Sequence, residues 1–326
     1  MPKPKRPRFG SMGVWPRKRA KRAYARIRSW PSIQAGMSGF AGYKAGMTHL
    51  IATDNRKHSL TKGQEISIPA TVVECPPIRI LQVRLYQHSY NGLKVAKQFF
   101  FKTEPEIKRK ISLPKKFSTL QDLEKIQPAD YVDVRVVICT QPKRIGLKKT
   151  PELFELALGG KIEDKLSFIK QHLEKDLSVK EVFQEGNLVD VHAITKGKGF
   201  QGPVKRFGIG LKQHKSEKGV REPGSLGGWS AQGHVMYRVA HAGQMGYHQR
   251  IQHNLQVLKI SEKPEEVNPK GGWPHYGIVR SHYLLLKGSV PGAKKRLIIL
   301  TQALRPKKEI PLPTVEHISL QSKQGR

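Results

Sequence analysis

Three glycines spaced to cradle a phosphate follow a strand-like run in the second half of the chain. They form a GxGxxG pattern at residues 197–202, directly after NLVDVHAIT. This pattern binds the pyrophosphate of a dinucleotide when a helix begins there, because the first amides of that helix face the anion. Pro203 follows at once, and Gly208 and Gly210 interrupt the chain before a long helix could form. We therefore expect no nucleotide cofactor and interpret the glycines as points where an extended basic loop approaches phosphates closely.

Four histidines are bunched in the same region, and such bunching raises the question of a zinc site. They are His234, His241, His248 and His253. No cysteine, aspartate or glutamate lies among them, and glycines interrupt the helix that an HExxH zinc site needs. The sequence therefore predicts no metal ion, and we expect these imidazoles to stack on bases or to donate hydrogen bonds to phosphates.

The basic loop also lacks the groupings that nucleophilic or acid–base catalysis needs. It has no serine beside a histidine and a carboxylate, and no pair of carboxylates. Most acids lie in the middle of the chain at helical spacing to lysines, which is typical of a solvated helix face. We therefore expect a protein that is not an enzyme and has no small-molecule substrate.

Residues 196–250 instead mix lysines, arginines, glycines and aromatic residues almost without acids. Twelve glycines lie between residues 197 and 246, and Glu217 and Glu222 are the only acids. Such a segment buries too little apolar area to hold one conformation alone, but it can thread through a folded RNA. Trp229 stands at a Gly-Gly-Trp-Ser turn with no local core, so we expect it to pack against a partner. The alternative is that its indole folds back on the protein.

The charge of the chain is concentrated outside residues 95–186. The chain has 326 residues, with 59 Lys and Arg against 25 Asp and Glu, so its net charge is +34. Residues 95–186 hold 18 basic and 14 acidic side chains, which leaves 41 basic and 11 acidic elsewhere. Self-repulsion at this density opposes a compact state, so we expect the basic segments to become ordered on a polyanion.

β-branched or alternating runs of strand length dominate the remainder of the chain. They are found at residues 40–53, 66–75, 78–88, 188–196, 255–260, 277–286 and 296–302. Glycines and prolines separate these runs, and long helices are not indicated between them. We therefore expect a closed or half-closed antiparallel barrel, which removes the sheet edges that would otherwise be exposed.

The near-neutral middle predicts a different kind of structure. In KIEDKLSFIKQHLEK, apolar residues recur at helical spacing. Ser118 with Gln121 and Ser178 with Glu181 match capping boxes, and residues 150–152 match a helix start. With the apolar run at residues 132–139, this region predicts an α+β module inserted between strands of the barrel.

The two cysteines and the termini indicate a reduced, soluble protein. Cys75 and Cys139 are far apart and are flanked by apolar runs, so we expect reduced thiols in the core. The chain has no run of 18 apolar residues, and no apolar segment follows its basic N-terminus. We expect neither a membrane span nor a secretory signal, and a cytoplasmic location.

Three blocks of the sequence resemble the large-subunit ribosomal protein L3 family in order and spacing. They are GFAGYKAGMTHL, EGNLVDVHAITKGKGFQGPVKR and HVMYRVAHAGQMGYHQR, within which KGKGFQG and AGQMGYH are the most specific. The basic N-terminal extension and the large insert are similar to the archaeal and eukaryotic branch. Because the longer eukaryotic C-terminal extension is missing, we expect an archaeal-type member.

The resemblance implies a mainly β fold, a translation-protein-like six-stranded β-barrel with an inserted α+β module and long basic arms. The implied order is an N-terminal arm at 1–38, barrel at 39–94, the module at 95–186, a barrel strand at 187–197, a central arm at 198–250, barrel at 251–305 and a basic tail at 306–326.

The resemblance also implies a structural constituent of the large ribosomal subunit. Such a protein binds near the 3′ end of the large-subunit rRNA, acts early in assembly, and contacts proteins of the L14 and L24e types. The tip of its central arm, which maps onto Trp229, approaches the peptidyl transferase centre. No cofactor is implied, and Mg²⁺ would be present only in association with the RNA.

The candidate rRNA contacts are cationic, histidine and tryptophan side chains of the two arms, together with two lysines of the expected barrel. They are Arg6, Arg8, Arg17, Lys18, Arg19, Lys21, Arg22, Lys44, Lys196, Lys198, Lys205, Arg206, Lys215, Arg221, Trp229, His234, Arg238, His241, His248 and Arg250. Two alternatives stay open. An RNA-modifying enzyme would need a cofactor pocket or an activated nucleophile, and a nonspecific polycation would need the charge without the barrel or the aromatic tip.

Overall fold

A computed structural model of the chain describes residues 10–102, 104–228, 233–306 and 310–324. The chain divides into two compact units. The basic unit consists of Met1–Ala23 and Ile194–Arg250, and the sheet unit consists of Tyr24–Ala193 and Ile251–Arg326.

Strands predominate over helices throughout the described residues. The strands are β1 (Gly36–Met37), β2 (Gly39–Thr53), β3 (Glu65–Glu74), β4 (Ile78–Ser89), β5 (Gly92–Phe100), β6 (Asp133–Thr140), β7 (Leu153–Gly159), β8 (Leu188–Ile194), β9 (Phe200–Gln201), β10 (Gly243–Gln244), β11 (Gln249–Ser261), β12 (Tyr283–Lys287), β13 (Leu297–Gln302) and β14 (Thr314–Ile318). The α-helices are α1 (Leu120–Glu124), α2 (Ile162–His172) and α3 (Pro203–Phe207). Short 3₁₀ turns lie at Met12–Val14, Pro105–Arg109, Pro128–Asp130, Val179–Glu181 and Pro264–Glu266. The prediction of a mainly β fold is confirmed.

The larger sheet has seven strands in the order β13-β8-β11-β12-β3-β2-β14, and β13 also pairs with β2. The β13–β2 ladder is antiparallel and sets Leu300 opposite Phe40 and Leu297 opposite Tyr43. These side chains are buried in one hydrophobic cluster, so the ladder is held by packing as well as by hydrogen bonds. Residues 306–326 were expected to be a basic tail, but they include β14, which pairs with β2.

A glycine in β2 lets an indole lie directly on the backbone of this sheet. A Cβ atom at Gly46 would lie 2.1 Å from Cε3 of Trp273, far inside van der Waals contact. Trp273 is only 2% exposed and packs in a second buried cluster with Leu50 and Tyr283. Only glycine at position 46 therefore permits this packing.

The smaller sheet has five strands in the order β1-β7-β6-β4-β5. The strand predicted over 78–88 exists as β4, but it pairs with β5 and β6 and so belongs to this sheet. Residues 39–94, assigned from the sequence to the barrel alone, therefore contribute to both sheets. The predicted helix start at 150–152 is wrong, because the next residues form strand β7.

Helix α2 matches the helical spacing seen in the sequence, and its Leu166 and Ile169 are buried. The capping interaction predicted at Ser178 is present, since its backbone N–H donates to Oε1 of Glu181 at 3.1 Å. The one predicted at Ser118 is shifted by one residue, because the Thr119 N–H donates to Oδ2 of Asp122 at 2.8 Å.

A buried tyrosine joins the two sheets within the sheet unit. The Tyr43 hydroxyl of β2 donates to Oε2 of Glu152 at 2.8 Å and shares a 3.0 Å hydrogen bond with Thr140 Oγ1 of β6. The Glu152 backbone N–H donates to Thr140 Oγ1 at 3.0 Å, which closes the network. Burial and the neighbouring Glu152 carboxylate raise the pKa of Tyr43, so the phenol stays protonated.

Both cysteines are free and buried, as predicted. Burial raises the pKa of Cys139 to about 12 and that of Cys75 further, so neither thiol is a nucleophile near neutral pH. Within the described residues, the helices are all too short or too polar to cross a membrane.

Candidate nucleic-acid interface

The central segment of the basic unit, residues 194–250, begins at the end of β8 and ends at the start of β11. Backbone hydrogen bonds clamp these two ends together. The Thr195 N–H donates to the His248 carbonyl at 3.0 Å, and the Tyr247 N–H donates to the Lys196 carbonyl at 3.2 Å. Gly246 has a φ of +73°, and a Cβ there would lie 2.0 Å from the Lys196 carbonyl oxygen. The close approach therefore requires glycine at position 246.

The N-terminal segment packs against this clamp. The Ala20 N–H donates to the Tyr247 carbonyl at 2.9 Å, and His248 Nδ1 lies 2.9 Å from the Lys18 carbonyl oxygen. Because a carbonyl oxygen only accepts, His248 must carry a proton on Nδ1. The two basic segments, predicted as separate arms, thus form one folded unit.

His248 has a structural role in this unit. It is 8% exposed, and burial lowers its pKa, with Arg250, Arg17 and Arg206 adding to that effect against the hydrogen bond to Lys18. A neutral, buried imidazole holding a backbone carbonyl is a positioning group for the N-terminal segment. Contact of His248 with RNA stays a prediction.

Arg206 holds the middle of the central segment. It lies on α3, which Gly208 ends with a φ of +67°. Its Nη1 donates to the His241 carbonyl at 2.8 Å, and its Nε donates to the Gln244 carbonyl at 3.1 Å. Burial lowers the pKa of this half-buried guanidinium. Arg206 therefore fixes the return of the chain near β10.

Aromatic rings add a second set of contacts between the two segments. The Trp15 ring lies 5.5 Å from Phe207 and 5.8 Å from Tyr237, in the second case edge to face. The Arg17 guanidinium lies over Phe207, 4.4 Å from its centroid. Such stacks combine apolar burial with cation–π attraction and fix the arginine in place.

Positive charge is crowded in this unit. Its sequence holds 19 lysines and arginines and only two acids. One of these acids, Glu222, lies 3.6 Å from Lys212. The pKa of Arg17 is lowered first by burial and then by Arg206 and Arg250. A folded surface of this kind has a strongly positive field, which attracts polyanions and is relieved by binding them.

Most of the candidate RNA contacts lie on the surface of the basic unit. Those that are exposed are Lys18, Arg19, Lys21, Arg22, Lys196, Lys198, Lys205, Lys215, Arg221, His234, Arg238 and His241. Arg17, Arg206 and Arg250 are half-buried. Arg6, Arg8 and Trp229 lie outside the described residues.

Lys44 lies in the sheet unit and is half-buried. Its Nζ donates to the carbonyls of Val290 and Gly292, so it positions the turn before β13. This contact was not foreseen from the sequence, because it joins residues about 250 positions apart.

The glycine pattern and the histidines are placed as follows within the described residues. The helix after the GxGxxG pattern, α3, spans five residues, too few for the helix N-terminus that a dinucleotide site uses. His253 Nδ1–H donates to Oδ2 of Asp190 in the sheet unit, with 2.8 Å between the two atoms. Among the residues that the structure describes, no three His, Cys, Asp or Glu side chains come together as metal ligands.

Comparisons with known proteins match the chain along nearly its full length. The family model described as Ribosomal protein L3 matches residues 1–325. The Large ribosomal subunit protein uL3 of Archaeoglobus fulgidus is 45% identical over 329 residues, covering 98% of this chain and 99% of the relative. The uL3 proteins of Methanothermobacter thermautotrophicus and Pyrobaculum calidifontis are 45% and 44% identical over 332 and 335 residues, covering 98% of each relative.

Proposed function

The chain belongs to the ribosomal protein L3 family and is of the archaeal type, and from this premise we propose that it is a structural, RNA-binding constituent of the large ribosomal subunit. It acts in the cytoplasm, without catalysis of its own, and binds the large-subunit rRNA near the 3′ end early in assembly. The observation that carries this proposal is the basic unit, in which two cationic segments are folded together with exposed lysines and arginines.

The mechanism is electrostatic. Each lysine or arginine that neutralises a phosphate releases a condensed counterion, so affinity falls as salt rises. The clamps at His248 and Arg206 hold the cationic side chains in a fixed arrangement, which lowers the entropy lost on binding. Exposed aromatic residues such as Tyr237 supply rings on which unpaired bases stack.

We further propose that the larger sheet is a closed six-stranded barrel of the translation-protein type. The pairing of β13 with both β8 and β2 supports this, because β13, β8, β11, β12, β3 and β2 then pair in a cycle. Residues 95–186, with β6, β7 and α2, form the inserted α+β module, and β1 and β4 from outside that range complete its sheet. A closed barrel has no edges, which suits a protein that must stay unaggregated before assembly.

The tip of the central segment, with Trp229, extends toward the peptidyl transferase centre in this proposal. Proteins of the L14 and L24e types are the neighbours in the subunit. No cofactor is required, and Mg²⁺ takes part only as an ion of the RNA. Support for these points comes from family membership alone, since Trp229 lies outside the described residues.

Charge neutralisation tests the proposal. The arm variant replaces Lys196, Lys198 and Lys205 by glutamine, all exposed in the basic unit. The matched control replaces Lys125, Lys161 and Lys175, which are exposed in the inserted module. Binding is measured to in vitro transcribed large-subunit rRNA over a series of salt concentrations. The plot of log K against log salt has a negative slope, and its magnitude should decrease by about 2 to 3 in the arm variant only.

Equal slopes for both variants and the unmodified protein would contradict the proposed interface. Competition with tRNA and duplex DNA at physiological salt separates specific from nonspecific binding. Displacement by a small excess of either competitor would favour the nonspecific polycation, because nonspecific affinities are on the order of micromolar or weaker.

A further inference from the structure

The inserted module is close to neutral as a whole, but its charges are separated along the chain. Residues 92–118 carry eight lysines and arginines and two acids, whereas residues 119–186 carry eleven basic and twelve acidic side chains. We call residues 90–118 the basic edge. Its cations are all exposed, namely Lys94, Lys97, Lys102, Lys108, Arg109, Lys110, Lys115 and Lys116.

The two acids of the basic edge are engaged by cations outside it. Glu104 Oε1 lies 3.7 Å from Arg79 Nη1, and Glu106 accepts from Lys143. The acids therefore do little to neutralise the eight exposed cations. A charge of this density on a folded surface attracts a polyanion over a distance of about 10 Å at 0.1 M salt.

Strand β5 presents two of these cations on one face. Within the described residues β5 pairs only with β4 and lies at the end of the five-stranded order. The ladder slips at a bulge, so that Lys94 lies opposite Gln87 and Lys97 opposite Leu85. Gln87 and Leu85 are two residues apart and share a face, so the bulge brings both lysines to the same side of the sheet.

An aromatic ring stands at the tip of the same hairpin. Ser89 pairs with Gly92, which leaves Tyr90 and Asn91 as the two-residue turn between β4 and β5. Tyr90 is 103% exposed, so its ring makes no packing contribution to the fold. Both faces of the ring are open to a partner.

We propose that the basic edge is a second RNA-binding surface, separate from the basic unit, in which its cations contact the phosphate backbone and Tyr90 stacks on an unpaired base. This inference rests on the proposed function, because it extends RNA binding to another part of the chain. Lysines on an edge strand also prevent unwanted strand pairing. Six of the eight cations lie beyond the end of β5, however, where edge protection does not require them.

The test uses the full-length protein and in vitro transcribed large-subunit rRNA. The edge variant replaces Lys108, Arg109 and Lys110 by glutamine. The control variant with Lys125, Lys161 and Lys175 replaced by glutamine removes the same charge from the same module. Circular dichroism melts establish that both variants fold as the unmodified protein does. The edge variant should lower the salt slope by about 2 to 3, and the control should leave it unchanged.

Tyr90 is tested separately. Replacing it by alanine should weaken binding about 5- to 150-fold without changing the salt slope, since stacking on an aromatic ring is worth about 1 to 3 kcal/mol per base. Tyr90→Phe keeps the ring and should bind as the unmodified protein does.

The arm variant, run in parallel, separates failure of this inference from failure of the proposed function. If it loses salt dependence while the edge variant and Tyr90→Ala bind normally, the basic edge is not an RNA surface and the basic unit remains one. If no variant changes binding, the proposed function itself fails. If the edge variant binds RNA normally but self-associates, the cations protect the sheet edge. If it binds RNA normally but is lost from assembled subunits, the basic edge contacts a protein. Either result would overturn the inference.

Discussion

Arg17 donates a hydrogen bond from Nη1 to the backbone carbonyl of Arg206, 3.3 Å away and 189 residues further along the chain. The bond joins an N-terminal segment and a central segment that share a high positive charge. It is supported by the contacts of Lys18 with His248 and of Ala20 with Tyr247. The cationic surface is therefore a composite of two segments, and its geometry depends on both.

Arg206 should act mainly as a structural residue. Arg206→Ala removes the hydrogen bonds to the His241 and Gln244 carbonyls, so the amides near β10 should exchange faster with deuterium. Lys205→Ala is the matched control, because Lys205 is the exposed neighbour and should lose only one phosphate contact. Hydrogen exchange by mass spectrometry checks this. Equal exchange in the two variants would show that Arg206 does not hold the segment.

His192 should make stability depend on pH. Burial lowers its pKa to about 4, with His253 adding to the effect and Asp190 opposing it. The unfolded chain therefore binds a proton more readily than the folded chain between pH 6.5 and 4, and this contribution to stability is lost as the pH falls through that range. One pKa unit corresponds to about 1.4 kcal/mol, so the loss by pH 4.5 is about 2 to 3 kcal/mol.

The check is urea unfolding of the unmodified protein and of His192→Gln at pH 7 and pH 4.5. The difference in unfolding free energy between the two pH values should be about 2 to 3 kcal/mol smaller in the variant. The same pH dependence in both proteins would mean that His192 titrates normally in the fold.

Tyr43 should contribute to stability through its hydroxyl. In Tyr43→Phe, Glu152 and Thr140 lose their buried partner, which should cost about 1 to 3 kcal/mol of unfolding free energy. Tyr90→Phe removes the same group from a fully exposed ring and should change stability by less than about 0.5 kcal/mol. Chemical denaturation of both variants measures their unfolding free energies. Equal unfolding free energies for Tyr43→Phe and Tyr90→Phe would show that the Tyr43 hydroxyl does not stabilise the fold.

Trp229 should matter for assembly or activity of the ribosome and not for the fold. Trp229→Ala should leave the thermal melt unchanged but alter subunit profiles or peptidyl transfer in ribosomes that carry it. Trp15→Ala provides the contrast, since Trp15 packs on Phe207 and Tyr237 and its loss should disturb the basic unit. Normal profiles and normal peptidyl transfer for Trp229→Ala would rule out the proposed role of the tip.

Local patterns in the sequence predicted most single elements but not their pairing. The run at 296–302 corresponds to β13, and the spacing in residues 161–175 corresponds to α2. The position of β4 in the smaller sheet could not be predicted, because strand partners are chosen by packing between distant residues. Residues 150–152 carry helix-start signals, yet β7 follows because its apolar side chains are buried beside β6.

The sequence predicted which residues make up the candidate site, but it predicted only part of how they are arranged. The distribution of charge along the sequence indicated the segments that are rich in cations, because it can be read from the residues directly. It did not indicate that His248 and Arg206 would use their nitrogens on backbone carbonyls of their own unit. Nor did it separate the charges of the inserted module, because a sum over 95–186 hides the exposed cations of the basic edge.

The central claim is specific binding of large-subunit rRNA by the basic unit. Ultraviolet crosslinking of the protein to RNA in cells, followed by sequencing of the bound RNA and identification of the crosslinked peptides, tests it most directly. We expect crosslinks near the 3′ end of the large-subunit rRNA, from peptides within residues 10–23 and 194–250. Crosslinks spread over cellular RNAs in proportion to their abundance, or arising only from other parts of the chain, would contradict it.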